Sequence, residues 1–104
     1  MDYRLLTLLI IHYIVSITDS AGYIGEVSPG LFLKLGDSIN FNVNATGHPF
    51  YIKTTQGAGT DNLANGVTNN GTTNGTVSWT PSQAGTYYYQ CSIHSEMYGT
   101  ITVN

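Results

Sequence analysis

Short alternations of apolar and polar residues, separated by turn residues, run along the chain from residue 31 to its end. In the clearest of them, Ile39, Phe41 and Val43 alternate with serine and asparagine side chains over residues 38–44. Successive side chains of a strand point to opposite faces, so this pattern predicts a strand with one buried face. Similar patterns predict further strands at 31–35, 50–54, 76–80, 86–91 and 98–103.

The segment 56–75 interrupts these alternations. It holds five glycines and five asparagines among its twenty residues and has no sustained period, which predicts loops and turns. The rest of the chain has six to eight short strands and no helical period after residue 20. The pattern therefore predicts an all-β fold, a sandwich or barrel formed by one domain.

The first 21 residues allow two interpretations. The stretch from Leu5 to Ile17 is mainly apolar, follows an arginine and precedes small residues, as in a short signal peptide. Because β-branched and aromatic residues dominate residues 10–18, a first strand is equally favoured. A leader followed by a strand that begins near His12 combines the two. In each case residues 22–104 form the predicted domain.

Charge and cysteine content narrow the functional classes. The chain has 104 residues, with three Lys and Arg, six Asp and Glu, and a net charge of −3. So few cations cannot follow a phosphate backbone, which argues against a nucleic-acid partner. The single cysteine cannot form an intramolecular disulfide, so it is a core residue, a catalytic nucleophile or a metal ligand.

Residues near the C-terminus favour the metal ligand. Cys91, His94 and Met97 have the equal spacing C-x-x-H-x-x-M after an aromatic strand, and His48 opens a strand upstream. Each alone is more often structural: a core cysteine, a loop histidine, a gap-filling methionine. Together they form a soft set of one thiolate, two imidazoles and one thioether. Such a set favours copper, in the arrangement of a blue-copper site with a weak axial methionine.

The ligand segment resembles a known family. The sequence from Gly85 to Val103, which reads GTYYYQCSIHSEMYGTITV, resembles the C-terminal signature of cupredoxins, the plastocyanin-like and amicyanin-like blue copper domains. The segment GDSINFNV, residues 36–43, resembles their third-strand region, and Gly47-His48 resembles their first ligand. The likeness covers residues 23–104, and the spacing of the ligand loop is most similar to that of the amicyanins.

The resemblance implies an eight-stranded Greek-key sandwich that binds one copper ion. His48, Cys91 and His94 correspond to the equatorial ligands and Met97 to the long axial one, with the carbonyl of Gly47 on the opposite side. A redox partner protein is then expected to dock near the exposed edge of His94.

Two positions depart from the plastocyanin pattern. Plastocyanins have an asparagine after the first histidine, which ties down the ligand loop, and a tyrosine before the cysteine, which forms a second electron exit. Pro49 and Gln90 occupy these positions here. The support around the ligands must therefore be built differently, and the second exit is in doubt.

These observations predict a single-electron carrier that cycles between Cu(I) and Cu(II), and not an enzyme. A multicopper oxidase is disfavoured because the cysteine lacks flanking histidines, and a Cys–His hydrolase because no oxyanion-hole element is evident. The alternative is a secreted or surface copper-handling or structural module without an electron-transfer role. An extracytoplasmic location is expected, with membrane attachment only if the N-terminal apolar segment is retained. The N-x-[ST] sequons at Asn44, Asn70 and Asn74 carry little weight in so Asn-rich a chain.

Overall fold

Nine β-strands make up the regular structure of the described residues. The computed structural model describes the backbone of residues 5–9 and 13–18 and the whole of residues 30–104. The strands are β1 (Leu5–Leu9), β2 (Tyr13–Thr18), β3 (Leu31–Leu33), β4 (Ile39–Asn44), β5 (Phe50–Lys53), β6 (Val67–Thr68), β7 (Asn74–Trp79), β8 (Gly85–Cys91) and β9 (Tyr98–Val103). No helix occurs among the described residues. The all-β prediction is confirmed, and the part from residue 31 onward contributes seven strands, within the six to eight expected.

The strands form two sheets. One has the order β1-β2-β4-β7-β6 and the other the order β3-β9-β8-β5. The pairs β2–β4 and β3–β9 are parallel, and all other neighbouring pairs of described strands are antiparallel. The chain crosses from the first sheet to the second between β4 and β5. It is this crossing that brings His48 to the end of the sandwich where β8 also ends.

The core lies between the sheets and follows the alternation of the sequence. Ile39, Phe41 and Val43 on β4 are 0–3% exposed, while the asparagines between them face outward. From the second sheet, Tyr89 and Cys91 are buried opposite Ile52 and Phe50 of β5. The period of two in these strands therefore records which face packs against the other sheet.

The predicted strand over residues 31–35 ends two residues early. The side chains of Leu31 and Leu33 are buried, whereas that of Leu35 is 50% exposed. A turn ends the strand, because Asp37 N–H donates to the carbonyl of Lys34 at 3.0 Å, and the backbone N–H of Lys34 donates to the Asp37 carboxylate at 2.8 Å.

The N-terminal segment contains strands in this structure. Strand β1 pairs antiparallel with β2, and β2 pairs in parallel with β4 from Tyr13↔Ile39 to Thr18↔Asn44. The predicted strand over 10–18 thus overlaps β2, while His12 and the predicted turn at 19–22 lie outside the described residues. The expectation of a cleaved leader stays a prediction. Within the described parts of the chain, no helix is long and apolar enough to span a membrane.

Candidate metal centre

A tight turn sets the position of His48. The N–H of His48 donates to the carbonyl of Ala45 at 2.9 Å, and Gly47 has a φ of 86° inside this turn. A positive φ at the third turn position favours glycine, which explains the glycine directly before the histidine. The turn joins β4 to β5, so His48 enters the second sheet at the edge of the core and is half-buried.

Cys91 and His94 are positioned by the connection between β8 and β9. Cys91 is the last residue of β8, is 2% exposed and lies opposite Phe50. The loop closes with two backbone hydrogen bonds, from Cys91 N–H to the Met97 carbonyl at 2.9 Å and from Met97 N–H to the His94 carbonyl at 3.0 Å. A compact turn therefore holds His94 close to the thiol of Cys91, and His94 is half-buried.

Three of the four predicted ligands come together. The sulfur of Cys91 lies 3.6 Å from Nδ1 of His48 and 3.5 Å from Nδ1 of His94. The two imidazole rings face each other with centroids 5.0 Å apart and an interplanar angle of 34°. All three ligand atoms lie within 4.8 Å of one another. Residues 43 positions apart in the sequence thus meet at one end of the sandwich.

These separations and donors suit one copper ion. Metal–nitrogen and metal–sulfur bonds of about 2.0–2.3 Å at tetrahedral or trigonal angles place neighbouring donor atoms about 3.5 Å apart. The two sulfur–nitrogen distances match that spacing. Both histidines present the same ring nitrogen, Nδ1, toward the sulfur. A thiolate with two imidazoles is a set that soft or borderline metals prefer, copper among them.

Met97, the fourth predicted ligand, is 1% exposed in the loop that carries His94. Its backbone is hydrogen-bonded to both Cys91 and His94, so the residue is adjacent to the site. The roles of the Met97 sulfur and of the Gly47 carbonyl as axial ligands stay predictions.

Two buried polar residues beside the site were not predicted as functional. Gln90 pairs with Tyr51 and lies on the face of β8 opposite to that of Cys91, the outer face of the sheet, yet it is 0% exposed. Lys53, on the same outer face, is 1% exposed. The segment that follows Lys53 covers both side chains. A period of two reveals on which face a residue lies, but not what covers that face.

Gln90 contacts the ligand loop directly. Its side-chain Nε2 donates to the carbonyls of Cys91 and His94, both at 2.9 Å, with longer contacts to those of Ser95 and Met97. Its Oε1 accepts from the N–H of Gly57 at 3.0 Å. The polar residue directly before the cysteine, where plastocyanins have an aromatic one, was the sequence signal for this contact.

The comparisons with known proteins point to one fold. No family model and no curated protein matches the chain. Among solved structures, a methionine-to-leucine variant of rusticyanin matches 86% of this chain and 81% of its own, with a TM-score of 0.51 and 20% identity. Rusticyanin from Thiobacillus ferrooxidans also matches, with 22% identity, a TM-score of 0.48, and coverage of 86% and 82%. Identities this low speak for the fold alone.

The fold likeness agrees with the resemblance seen in the sequence. Rusticyanin is a cupredoxin, and the two-sheet architecture places the first histidine before β5 and the other donors around the end of β8. The chain therefore has the cupredoxin fold, with His48, Cys91 and His94 grouped to hold one copper ion.

Proposed function

We propose that the protein is a mononuclear type 1 copper protein that carries single electrons. The observation that carries this proposal is the group of two imidazole Nδ1 atoms within 3.6 Å of one buried thiol. Bound copper supplies a one-electron couple between Cu(I) and Cu(II), and cysteine with two histidines and a weak methionine is the ligand set of electron-transfer sites. Met97 is the proposed axial ligand.

Burial of the donors supports a carrier over a hydrolytic enzyme. Cys91 and Met97 are 2% and 1% exposed, which leaves little room for a substrate at the sulfur. A rigid sheet that holds the donors nearly still favours electron transfer, because little reorganisation is needed when the charge on the metal changes. We therefore infer that the protein is not an enzyme.

The proposed electron path leaves through His94. This residue is half-buried, and its neighbour Ile93 is 59% exposed. An exposed apolar side chain beside this histidine is compatible with transient contact with a redox partner protein, since such encounters bury small areas. An extracytoplasmic location, favoured by the apolar segment in residues 5–17, completes the proposal.

The test is a titration of the purified metal-free protein with Cu(II), followed optically. We expect an intense blue thiolate-to-copper band at one equivalent, and its loss in Cys91→Ser. Ser92→Ala, which alters the neighbouring side chain, is the matched control and should stay blue. Reversible voltammetry of the blue protein then separates a carrier from a copper-handling module. A wild-type protein with only weak absorption would contradict the assignment.

A further inference from the structure

We propose that Lys53, the turn at residues 56–61 and Gln90 act as positioning residues that hold the ligand loop, residues 92–97, in its metal-binding conformation. We call this set the brace. The inference rests on the proposed copper site, and it assigns a role to two buried polar residues that the ligand set leaves unexplained.

The ligand loop needs support from outside the core. Residues 93, 95 and 96 are exposed and Ser92 is only half-buried, so apolar packing contributes little to their position. Pro49 follows the first histidine and has no N–H to donate. Its carbonyl accepts a hydrogen bond from Ser92 N–H at 3.2 Å, which is a single link. Further donors to the carbonyls of this segment would tie it to the sheet.

Gln90 supplies those donors. The two hydrogens of its Nε2 are matched by the carbonyls of Cys91 and His94, which are two of the proposed ligands, each at 2.9 Å. A fully buried amide with both ends satisfied has one low-energy orientation, so it fixes its partners relative to the sheet. Gln90 thus links the metal-bearing loop to strand β8.

The turn at 56–61 donates hydrogen bonds to the side-chain oxygen of Gln90 and to two further carbonyls of the ligand loop. Gly57 N–H donates to Gln90 Oε1 at 3.0 Å and Gly59 N–H donates to the Ser92 carbonyl at 2.7 Å. The side-chain nitrogen of Gln56 donates to the Ser95 carbonyl. Both glycines have positive φ, of 141° and 102°, a backbone conformation that other residues rarely adopt.

Lys53 anchors this turn from the opposite side. Its Nζ donates to the carbonyls of Gly57 and Gly59 at 2.8 and 3.1 Å and to the Asp61 carboxylate at 3.3 Å. The N–H groups of the two glycines therefore donate toward Gln90 and the ligand loop, and their carbonyls accept from Lys53. All three donors of the buried ammonium are matched, which explains how a lysine at 1% exposure is tolerated.

The test compares Gln90→Leu and Gln56→Leu with Gln83→Leu, a control at an exposed glutamine in the turn before β8. In the metal-free protein, amide hydrogen exchange at Gly57 should quicken at least tenfold in Gln90→Leu and stay unchanged in Gln83→Leu. In the Cu(II) protein, we expect both brace variants to shift the energy of the thiolate-to-copper band and to lose copper to a chelator at least tenfold faster than the control.

Gln90→Glu separates the two ends of the side chain. It keeps an acceptor for Gly57 but, even when protonated, offers at most one hydrogen where the amide offers two, so Gly57 should stay protected while copper loss still quickens. If Gln90→Leu does not fold, Gln56→Leu, at an exposed position, is compared with Gln83→Leu in spectrum and in copper loss. Folded brace variants that match Gln83→Leu in spectrum and in copper loss would overturn the proposal. A colourless wild-type protein would instead overturn the copper site, whereas the exchange measurement reports on the brace without metal.

Discussion

Replacing Gly99 with alanine should destabilise the protein more than a change of one methyl group ordinarily does. Gly99 lies on β9 directly opposite Tyr89 on β8. A Cβ at position 99 would lie 2.6 Å from Cε2 of the tyrosine and also against its Cζ and hydroxyl oxygen. Carbon atoms in ordinary contact are about 3.5–4.0 Å apart, so the ring must move.

The core around Tyr89 is too closely packed for its ring to move without destabilising the protein. Tyr89 is 1% exposed and packs against Phe50 and Phe41, with ring centroids 6.0 and 5.9 Å away. Adding a methyl group to a close-packed core costs about 1–3 kcal/mol. The aromatic neighbours place this case at the upper end, about 3 kcal/mol. At 4–8 °C per kcal/mol for a domain of this size, the melting temperature should fall by roughly 12 °C or more.

Urea unfolding of the metal-free protein, followed by fluorescence of its one tryptophan, measures the effect. Gly30→Ala is the matched control, because among the described residues the added Cβ meets only the hydroxyl of Thr100, at 3.2 Å on an exposed side chain. A hydroxyl at the surface rotates away, so this change should cost less than about 1 kcal/mol. Equal costs at positions 99 and 30 would contradict the packing argument.

A double-mutant cycle tests the cause. Tyr89→Leu removes the ring that a methyl group at position 99 would meet. Gly99→Ala should therefore reduce the free energy of unfolding by less in the Tyr89→Leu background than in the wild type. The free energy of unfolding of the double variant should exceed the additive value by about 1.5 kcal/mol or more. Additive effects within about 0.5 kcal/mol would refute a steric origin.

Other perturbations probe the brace, the axial position, the strand edge and the ligands. Lys53→Met should cost about 2 kcal/mol in urea unfolding, because hydrogen bonds to a charged donor are lost, whereas Asp61→Ala, at a carboxylate 73% exposed, and the exposed control Lys34→Met should each cost about 0.5 kcal/mol or less. Met97→Leu should keep the fold within about 1.5 kcal/mol and raise the copper potential, measured by voltammetry, since loss of a thioether donor disfavours Cu(II) more than Cu(I); an unchanged potential would exclude an axial role. Asn70→Ala should cost about 1–2 kcal/mol in thermal unfolding, because its side chain accepts from the β5 edge at 2.8 Å, and Asn44→Ala at an exposed sequon is the control. Copper affinity, measured by chelator competition, should fall by about tenfold per pH unit for each proton displaced as the pH drops, because the ligands bind only when deprotonated; a flat profile from pH 7 to 5 would exclude histidine ligation.

The sequence predicted the elements whose signal is local. The alternation of Ile39, Phe41 and Val43 predicted β4 because one face of that strand is buried and the other solvated. The spacing of Cys91, His94 and Met97 predicted a ligand loop because a short connection between two strands keeps those residues close. The pairing of His48 with them depends on the crossing between sheets. It was inferred from the donor types of the four residues and from the resemblance, and not from any periodicity.

Features that depend on the path of irregular backbone were not predicted. Residues 56–75 have no period, and nothing in their composition indicated that part of them would cover the outer face of β5 and β8. For this reason the burial of Lys53 and Gln90 on the outer face of the sheet, and their hydrogen bonds, were missed. Burial of a polar residue on an outer face depends on long-range contacts, to which a strand pattern is insensitive.

The two departures from the plastocyanin pattern are physically related. Pro49 removes a donor from the position that ties down the ligand loop in those proteins, and Gln90 adds two hydrogens one residue before the cysteine. The hydrogen bonds of Gln90 end on the carbonyls of Cys91 and His94, so side-chain donors to the ligand loop come from β8 and not from the residue after the first histidine. A tyrosine at position 90 has a single hydroxyl hydrogen and could not make both bonds. The same difference that removes the second electron exit of the plastocyanin pattern therefore provides the ligand loop with two of its donors.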